Sequence, residues 1–188
     1  YLGDFVKGSL QQTVVCEQAE PWSENVVAGM QLHRYLDAEV DFQPYYRHSL
    51  QLLSPQVRRF GGIALDVFYD HLLSRHWANY DDTPLLQFSR EFYANCLARR
   101  QRLPDRAEKF ISAAAKAELF VGYGDKEIYR KVILRIGQRL SFAGADVKLL
   151  AAADQLLENY ELVEADFLSQ FPELIEMAQC WRQQRQSL

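Results

Sequence analysis

The stretch ALDVFYDHLL at residues 64–73 carries Asp66, Asp70 and His71 among residues that otherwise suit the buried face of a helix. Burying any of these three without a partner costs several kcal/mol, so each implies a partner. Asp66 and Asp70 stand four apart, which on a helix places them one turn from each other and about 40° apart around the axis. Like charges so placed repel, and either a cation between them or arginine partners would answer the repulsion. His71 adds an imidazole, the commonest nitrogen ligand of a metal. A second set at the same spacing precedes it: His33 and Asp37, with Arg34 alongside. Mixed His and Asp ligation from two neighbouring helices suits a divalent manganese, magnesium, iron or zinc ion with positions open for water and substrate. Spacing alone leaves a network of structural salt bridges equally open.

The elements that must hold these residues are helices. Residues 24–40 repeat apolar side chains at helical spacing after Ser23, a candidate N-cap. Ser54-Pro55 reads as a cap and first-turn proline opening a long helix to about Trp77, with Gly61-Gly62 allowing a kink or close packing. DDTP at 81–84 separates this from a helix over 84–101, and Leu103-Pro104-Asp105 introduces another over 105–120. After GYGD at 122–125, Asp125 caps a helix to about Leu140, and a last long stretch runs from Ala145 toward Phe171, where Pro172 ends it or opens a short final one. Alternating β-branched runs, a glycine-rich phosphate loop and a fixed-period repeat are all missing from the sequence. The expectation is an all-α, single-domain helical bundle over residues 1–188.

A chain of 188 residues with 48% hydrophobic and 24% charged residues has the make-up of one ordinary globular domain. Cys16, Cys96 and Cys180 form no CxxC pair, which argues against a thiolate zinc site and a disulfide framework and fits a reducing, cytoplasmic setting. No apolar run approaches the ~18 residues of a membrane span. The net charge of −4 conceals an asymmetry: eleven Lys and Arg against five acids between Arg99 and Arg139, but three against eight from Asp146 onward. A basic middle of this kind suits an acidic partner, or else is a set of solvated helix faces.

GDFVKG at 3–8, HRYLD at 33–37, RRFGGIALDVFYDHLL at 58–73 and Trp77 together resemble the acyl carrier protein phosphodiesterase family, also called acyl carrier protein hydrolase. ENYELVEADFLSQFPEL near the end extends the resemblance over nearly the whole chain. The family is regarded as a divergent relative of the HD-domain phosphohydrolases, so an HD-domain-like bundle is implied, although the adjacent pair runs Asp70-His71 here, in reverse of the usual order. Members usually begin with a further histidine-containing segment, and this chain, opening YLGDFVKG without Met, is expected to lack it. A histidine is also expected before Pro44, where Gln43 stands, which leaves Asp41 a weak candidate.

The resemblance implies hydrolysis of the phosphodiester between phosphopantetheine and a serine of holo acyl carrier protein, with manganese the expected metal. His33, Asp66, Asp70 and His71 are then the expected ligands. Asp4 belongs at the metal or just behind it, Arg34 neutralises phosphoryl charge, and Asp37 accepts a proton or supports a ligand. By itself Asp4 would read as a turn residue and Lys7 as a solvated lysine. His48 and His76, which lack the acidic pairing of the other two, are assigned to surface or packing roles. Carrier proteins are acidic, so Arg99, Arg100, Arg102, Arg106, Lys126, Arg130 and Lys131 are expected to steer and orient one. Nucleic acid suits that segment less, because the whole chain is acidic and no binding motif accompanies it. Two other readings stand beside the leading one: an HD-type phosphohydrolase acting on a nucleotide or small phosphoester, and a non-catalytic helical module that binds an acidic partner.

Overall fold

The computed structural model describes residues 22–140 and 144–186; Asp4 and Lys7, with the rest of the GDFVKG motif, lie outside the described residues. Every regular element among the described residues is helical, as the periodicity predicts. In chain order they are α1 (Glu24–Val40), α2 (Pro44–Gln51), α3 (Gly61–His76), α4 (Leu85–Leu97), α5 (Asp105–Lys116), α6 (Leu119–Gly122), α7 (Lys126–Gly137), α8 (Ala145–Glu158) and α9 (Tyr160–Gln186).

The helix α3 is the centre of the bundle and packs against α7 and α8, with α2 and α9 also against it. Ala64, Leu65, Phe68 and Leu72 supply its buried side, and they meet Tyr129 and Ile133 of α7, Leu149 and Leu156 of α8 and Phe167 of α9. Phe68 sits edge-on to Tyr129 at 5.2 Å between ring centroids, an arrangement aromatic pairs favour. Gly137 makes the α7–α8 approach possible: a Cβ there would stand 2.6 Å from the Asp146 Cα. A second, smaller core ties α4 to α5 through Tyr93, Leu103, Ala107, Ile111 and Ala114. Between the two cores runs the cavity described below.

Several boundaries differ from the sequence expectation, each for a local reason. The long helix expected from Ser54 begins at Gly61. The Ser54 carbonyl instead closes a turn onto the Val57 and Arg58 amides, and a 3-10 turn over Arg58–Phe60 follows. That turn lets the chain fold back so that Gly61 lies against Leu53, whose Cδ1 would be 2.6 Å from a Cβ at 61. The helix α2, with Pro44 in its first turn, is an element the sequence expectation does not include. Glu118, at φ 45°, divides 105–120 into α5 and α6. Asn159 divides the expected final stretch: its side-chain amide donates to the Gln155 carbonyl while its own carbonyl accepts from Leu162 and Val163. One residue thus ends α8 and starts α9. Pro172 neither ends nor opens a helix but lies inside α9, exposed.

Candidate active site

Asp66, Asp70 and Ser74 recur every four residues along α3, so they form one stripe on the side away from the main core. The Asp66 carboxylate accepts a 2.8 Å hydrogen bond from the Tyr46 hydroxyl of α2. Burial first, and then the Asp66 charge, push the Tyr46 phenol far up, so it stays protonated and remains a donor. Asp70 stands at a cavity of about 260 Å³ between α3, α4 and α6, lined otherwise by apolar and aromatic side chains that include Trp77, Phe88, Phe92 and Phe120. The carboxylate's charge reaches the phenols around it. Tyr93, raised by burial and further by Asp70, is pushed up to about 12, although the nearby Phe120 backbone eases its ionisation. Tyr123 is raised by the same two causes. The Tyr93 hydroxyl is buried and completes no hydrogen bond of good geometry.

His71, next in sequence to Asp70, faces the opposite way. It is 0% exposed, with Nδ1 2.6 Å from the Tyr123 carbonyl and Nε2 3.0 Å from the Tyr160 hydroxyl. A carbonyl only accepts, so Nδ1 carries the proton and Nε2 accepts from Tyr160. Burial lowers the pKa of His71, the Arg75 and Lys126 charges lower it further, and the bond to Tyr123 opposes them. Lys126 itself lies over the Tyr160 ring at 3.8 Å, shielding that end. With both ring nitrogens engaged, His71 ties α3 to the turn before α7 and to the start of α9.

His33 and Asp37 face each other within α1, Nε2 to Oδ2 at 3.3 Å, with the Asp37 side chain 62% exposed. The helix that carries them packs on α9. Among the described residues, no three His, Cys, Asp or Glu side chains converge so as to hold a metal ion. For a hard divalent cation, Asp66 and Asp70 offer carboxylates one turn apart, whereas both ring nitrogens of His71 are engaged with Tyr123 and Tyr160.

The acidic side chains of α9 take the remaining two histidines. Asp166 accepts from Ser49 at 2.7 Å and meets His48 Nδ1 at 2.8 Å, while Glu164 lies 2.8 Å from His76 Nε2. Both histidines thus pair with acids far along the chain, which sequence spacing could not show. The basic residues fall on two elements. Arg99, Arg100, Arg102 and Arg106 surround the connection from α4 to α5, all exposed, and Arg99 donates to the Asn95 carbonyl at 3.0 Å. Lys126, Arg130 and Lys131 lie on α7, where Arg130 bridges to Asp154 at 3.3 Å.

The cavity's aromatic walls are the part of the site that sequence reasoning missed. Phe88 and Phe92, one turn apart on α4, were the available signal. The described residues thus form an all-helical scaffold whose cleft, apolar with one carboxylate at its head, has the make-up of a ligand site. The chain belongs to the acyl carrier protein phosphodiesterase family, which it matches over residues 1–174. It is 30% identical over 184 residues to the acyl carrier protein phosphodiesterase of Escherichia coli O6:H1, covering 94% of this chain and 86% of that protein. The proteins of the same name from the O45:K1 and O127:H6 strains show the same identity and coverage. No solved structure matches the chain, and the likeness to HD-domain enzymes stays an expectation of the sequence. Among the described residues, no helix is long and apolar enough to cross a membrane.

Proposed function

We propose that this chain hydrolyses the phosphodiester joining phosphopantetheine to a serine of holo acyl carrier protein, releasing apo carrier and 4'-phosphopantetheine. The observation that carries the reading is Asp70 standing at a cleft, with Asp66 one turn before it on the same helix, in a chain of this family. Two carboxylates facing a phosphodiester anion repel it unless a cation lies between them, and this is the physical reason to retain a divalent metal, manganese first, in the proposal. Such an ion would polarise the phosphoryl oxygens and supply hydroxide near neutral pH. Asp66, Asp70 and Asp4 are the carboxylates assigned to it, and His33 on α1 keeps the ligand role that the sequence suggests. Arg34 is assigned to the phosphoryl charge, with Asp37 as a proton acceptor. His71 is assigned instead to holding α3 in register.

The basic α4–α5 connection supports carrier docking. Tyr93 feels the Asp70 charge, and Arg99 follows roughly one and a half helical turns beyond it. An acidic carrier seated on Arg99, Arg100, Arg102 and Arg106 would present its serine near the acidic end of the cleft. Lys126, Arg130 and Lys131 on α7 extend the attraction at longer range.

Incubation with holo carrier and manganese, then with a chelator, tests the reading by the mass of the carrier. Manganese-dependent loss of the phosphopantetheine mass is expected. A carrier left intact by folded, manganese-supplied protein would overturn the reading, and cleavage of small phosphodiesters at equal efficiency would overturn the carrier's role.

A further inference from the structure

The cavity beside Asp70 has walls whose polar atoms are nearly all committed elsewhere. The Trp77 indole N–H donates to the Thr83 carbonyl at 2.7 Å, and the Ser74 hydroxyl donates to the Phe120 carbonyl at 2.7 Å and also lies 2.9 Å from the Asp70 carbonyl. Apart from Asp70 and the Tyr123 phenol, what remains is ring and hydrocarbon: Trp77 and Phe88 at 4.6 Å between centroids, Phe92 and Phe120 at 5.3 Å, with Leu73 and Leu85 beside them. Such a wall gives little to the amides of a pantetheine arm, because an amide moved out of water without a partner costs several kcal/mol. It suits an alkyl chain. The cavity also has a direction. Asp70 is the charged group of its lining, and Trp77 lies seven residues further along α3, about 10 Å away.

We propose that this cavity is a subsite for an unbranched alkyl or acyl group carried on the sulfur of the phosphopantetheine arm, and that Trp77, Leu85 and Phe88 set the length it admits. The inference rests on the function proposed above and adds to it a chain-length preference. The apolar tail runs through the cavity from the Asp70 end toward Trp77, and the amide-bearing arm stays outside its apolar walls. Each methylene taken from water into the cavity tightens binding by about fourfold, the factor that corresponds to ~0.8 kcal/mol.

The test reads binding without hydrolysis. Pantetheine and its S-butyl, S-octyl and S-dodecyl ethers are titrated against the full chain carrying Trp22→Phe and Trp181→Phe, so that Trp77 emission reports on the cavity. Dissociation constants should fall with chain length to a limit. Leu85→Phe, which narrows the cavity, should cut the advantage of the octyl probe over pantetheine at least tenfold, and Phe88→Ala, which widens it, should move the limit to longer chains. Equal affinities for all four probes would overturn the proposal, as would a length dependence that neither folded variant changes. A chain that ranks the probes by length but leaves holo carrier intact would overturn the proposed reaction while supporting the alkyl subsite.

Discussion

His71→Ala separates a metal-ligating histidine from a structural one. The imidazole is 0% exposed and packs near Phe68, Tyr129 and Tyr160, at 5.6, 6.2 and 5.7 Å between centroids. Truncation empties that space and leaves the Tyr123 carbonyl and the Tyr160 hydroxyl without their partner. Loss of a large buried side chain costs about 2–5 kcal/mol, and an orphaned buried acceptor about 1–3 more, so a loss of about 4 kcal/mol is the central expectation. For a domain of this size that lowers Tm by roughly 8–16 °C. Urea and thermal unfolding, each with chelator throughout, measure it. His71→Asn, whose amide can still donate to Tyr123, should lose less. The pH dependence gives a second readout. Burial lowers the pKa of His71 in the folded chain, so below the unfolded value of about 6.5 the unfolded state binds more protons and stability falls as the pH falls. Above that pH the histidine is neutral in both states and contributes no slope. His71→Asn should therefore flatten the acid side of the stability curve and leave the alkaline side unchanged. Wild-type stability in His71→Ala, together with loss of manganese-dependent turnover, would refute this reasoning and return His71 to the ligand set.

Asp70→Asn should lower turnover of holo carrier by about a hundredfold or more while leaving the urea midpoint near wild type, since Asp70 stands at the cavity and outside the buried core; a mainly structural loss would show as a shifted midpoint. Gly137→Ala should destabilise the fold by about 1–3 kcal/mol in urea unfolding, because the new methyl would stand 2.6 Å from the Asp146 backbone, and a neutral result would contradict that close approach. Asp166→Ala should cost about 2–3 kcal/mol, since buried Ser49 loses its acceptor and His48 its partner, and the double variant with Ser49→Ala should recover part of the loss. Reversing Arg99 and Arg100 to Glu should raise KM for holo carrier about fivefold at low salt with kcat little changed, and the effect should shrink as salt rises; a salt-independent change would count against docking at the α4–α5 connection.

Much of the helical layout could be read directly, because amphipathic period and end signals are local. Residues 24–40 became a helix with the expected bounds, and the Asp125 side chain caps α7 by accepting from the Glu127 amide at 2.7 Å. The misplaced boundaries are those set by tertiary contact. Gly61 starts α3 where it does because Leu50 and Leu53 close over it, and Asn159 breaks the last stretch with a backbone turn that no apolar count reveals. Pro172 sits inside α9 on its exposed side, where its missing N–H and its ring do not disturb the packed face.

The site divides along the same line. Asp66 and Asp70, four apart, share a face of α3 as their spacing requires. Asp70 and His71, adjacent in sequence, cannot: neighbours on a helix point about 100° apart, so if the first faces the cavity the second turns toward the core. A dipeptide of two ligand types therefore reads more strongly as a metal motif than its geometry permits. What decides between the two directions is the company each residue keeps at i±3 and i±4. Asp70 has Asp66 and Ser74 at i±4, while His71 has Val67 and Phe68, both buried, one turn before it. The pattern around His71 is that of a core position, and only its long-range partners, Tyr123 and Tyr160, make a buried imidazole tolerable there. The same reasoning bears on His33. Asp37 lies one turn away and meets it directly, so any role for His33 at the phosphodiester has to be won against that pair. His33→Gln tests this: if His33 serves the reaction, turnover of holo carrier falls while the unfolding midpoint stays near wild type, whereas a purely local ion pair leaves turnover unaltered.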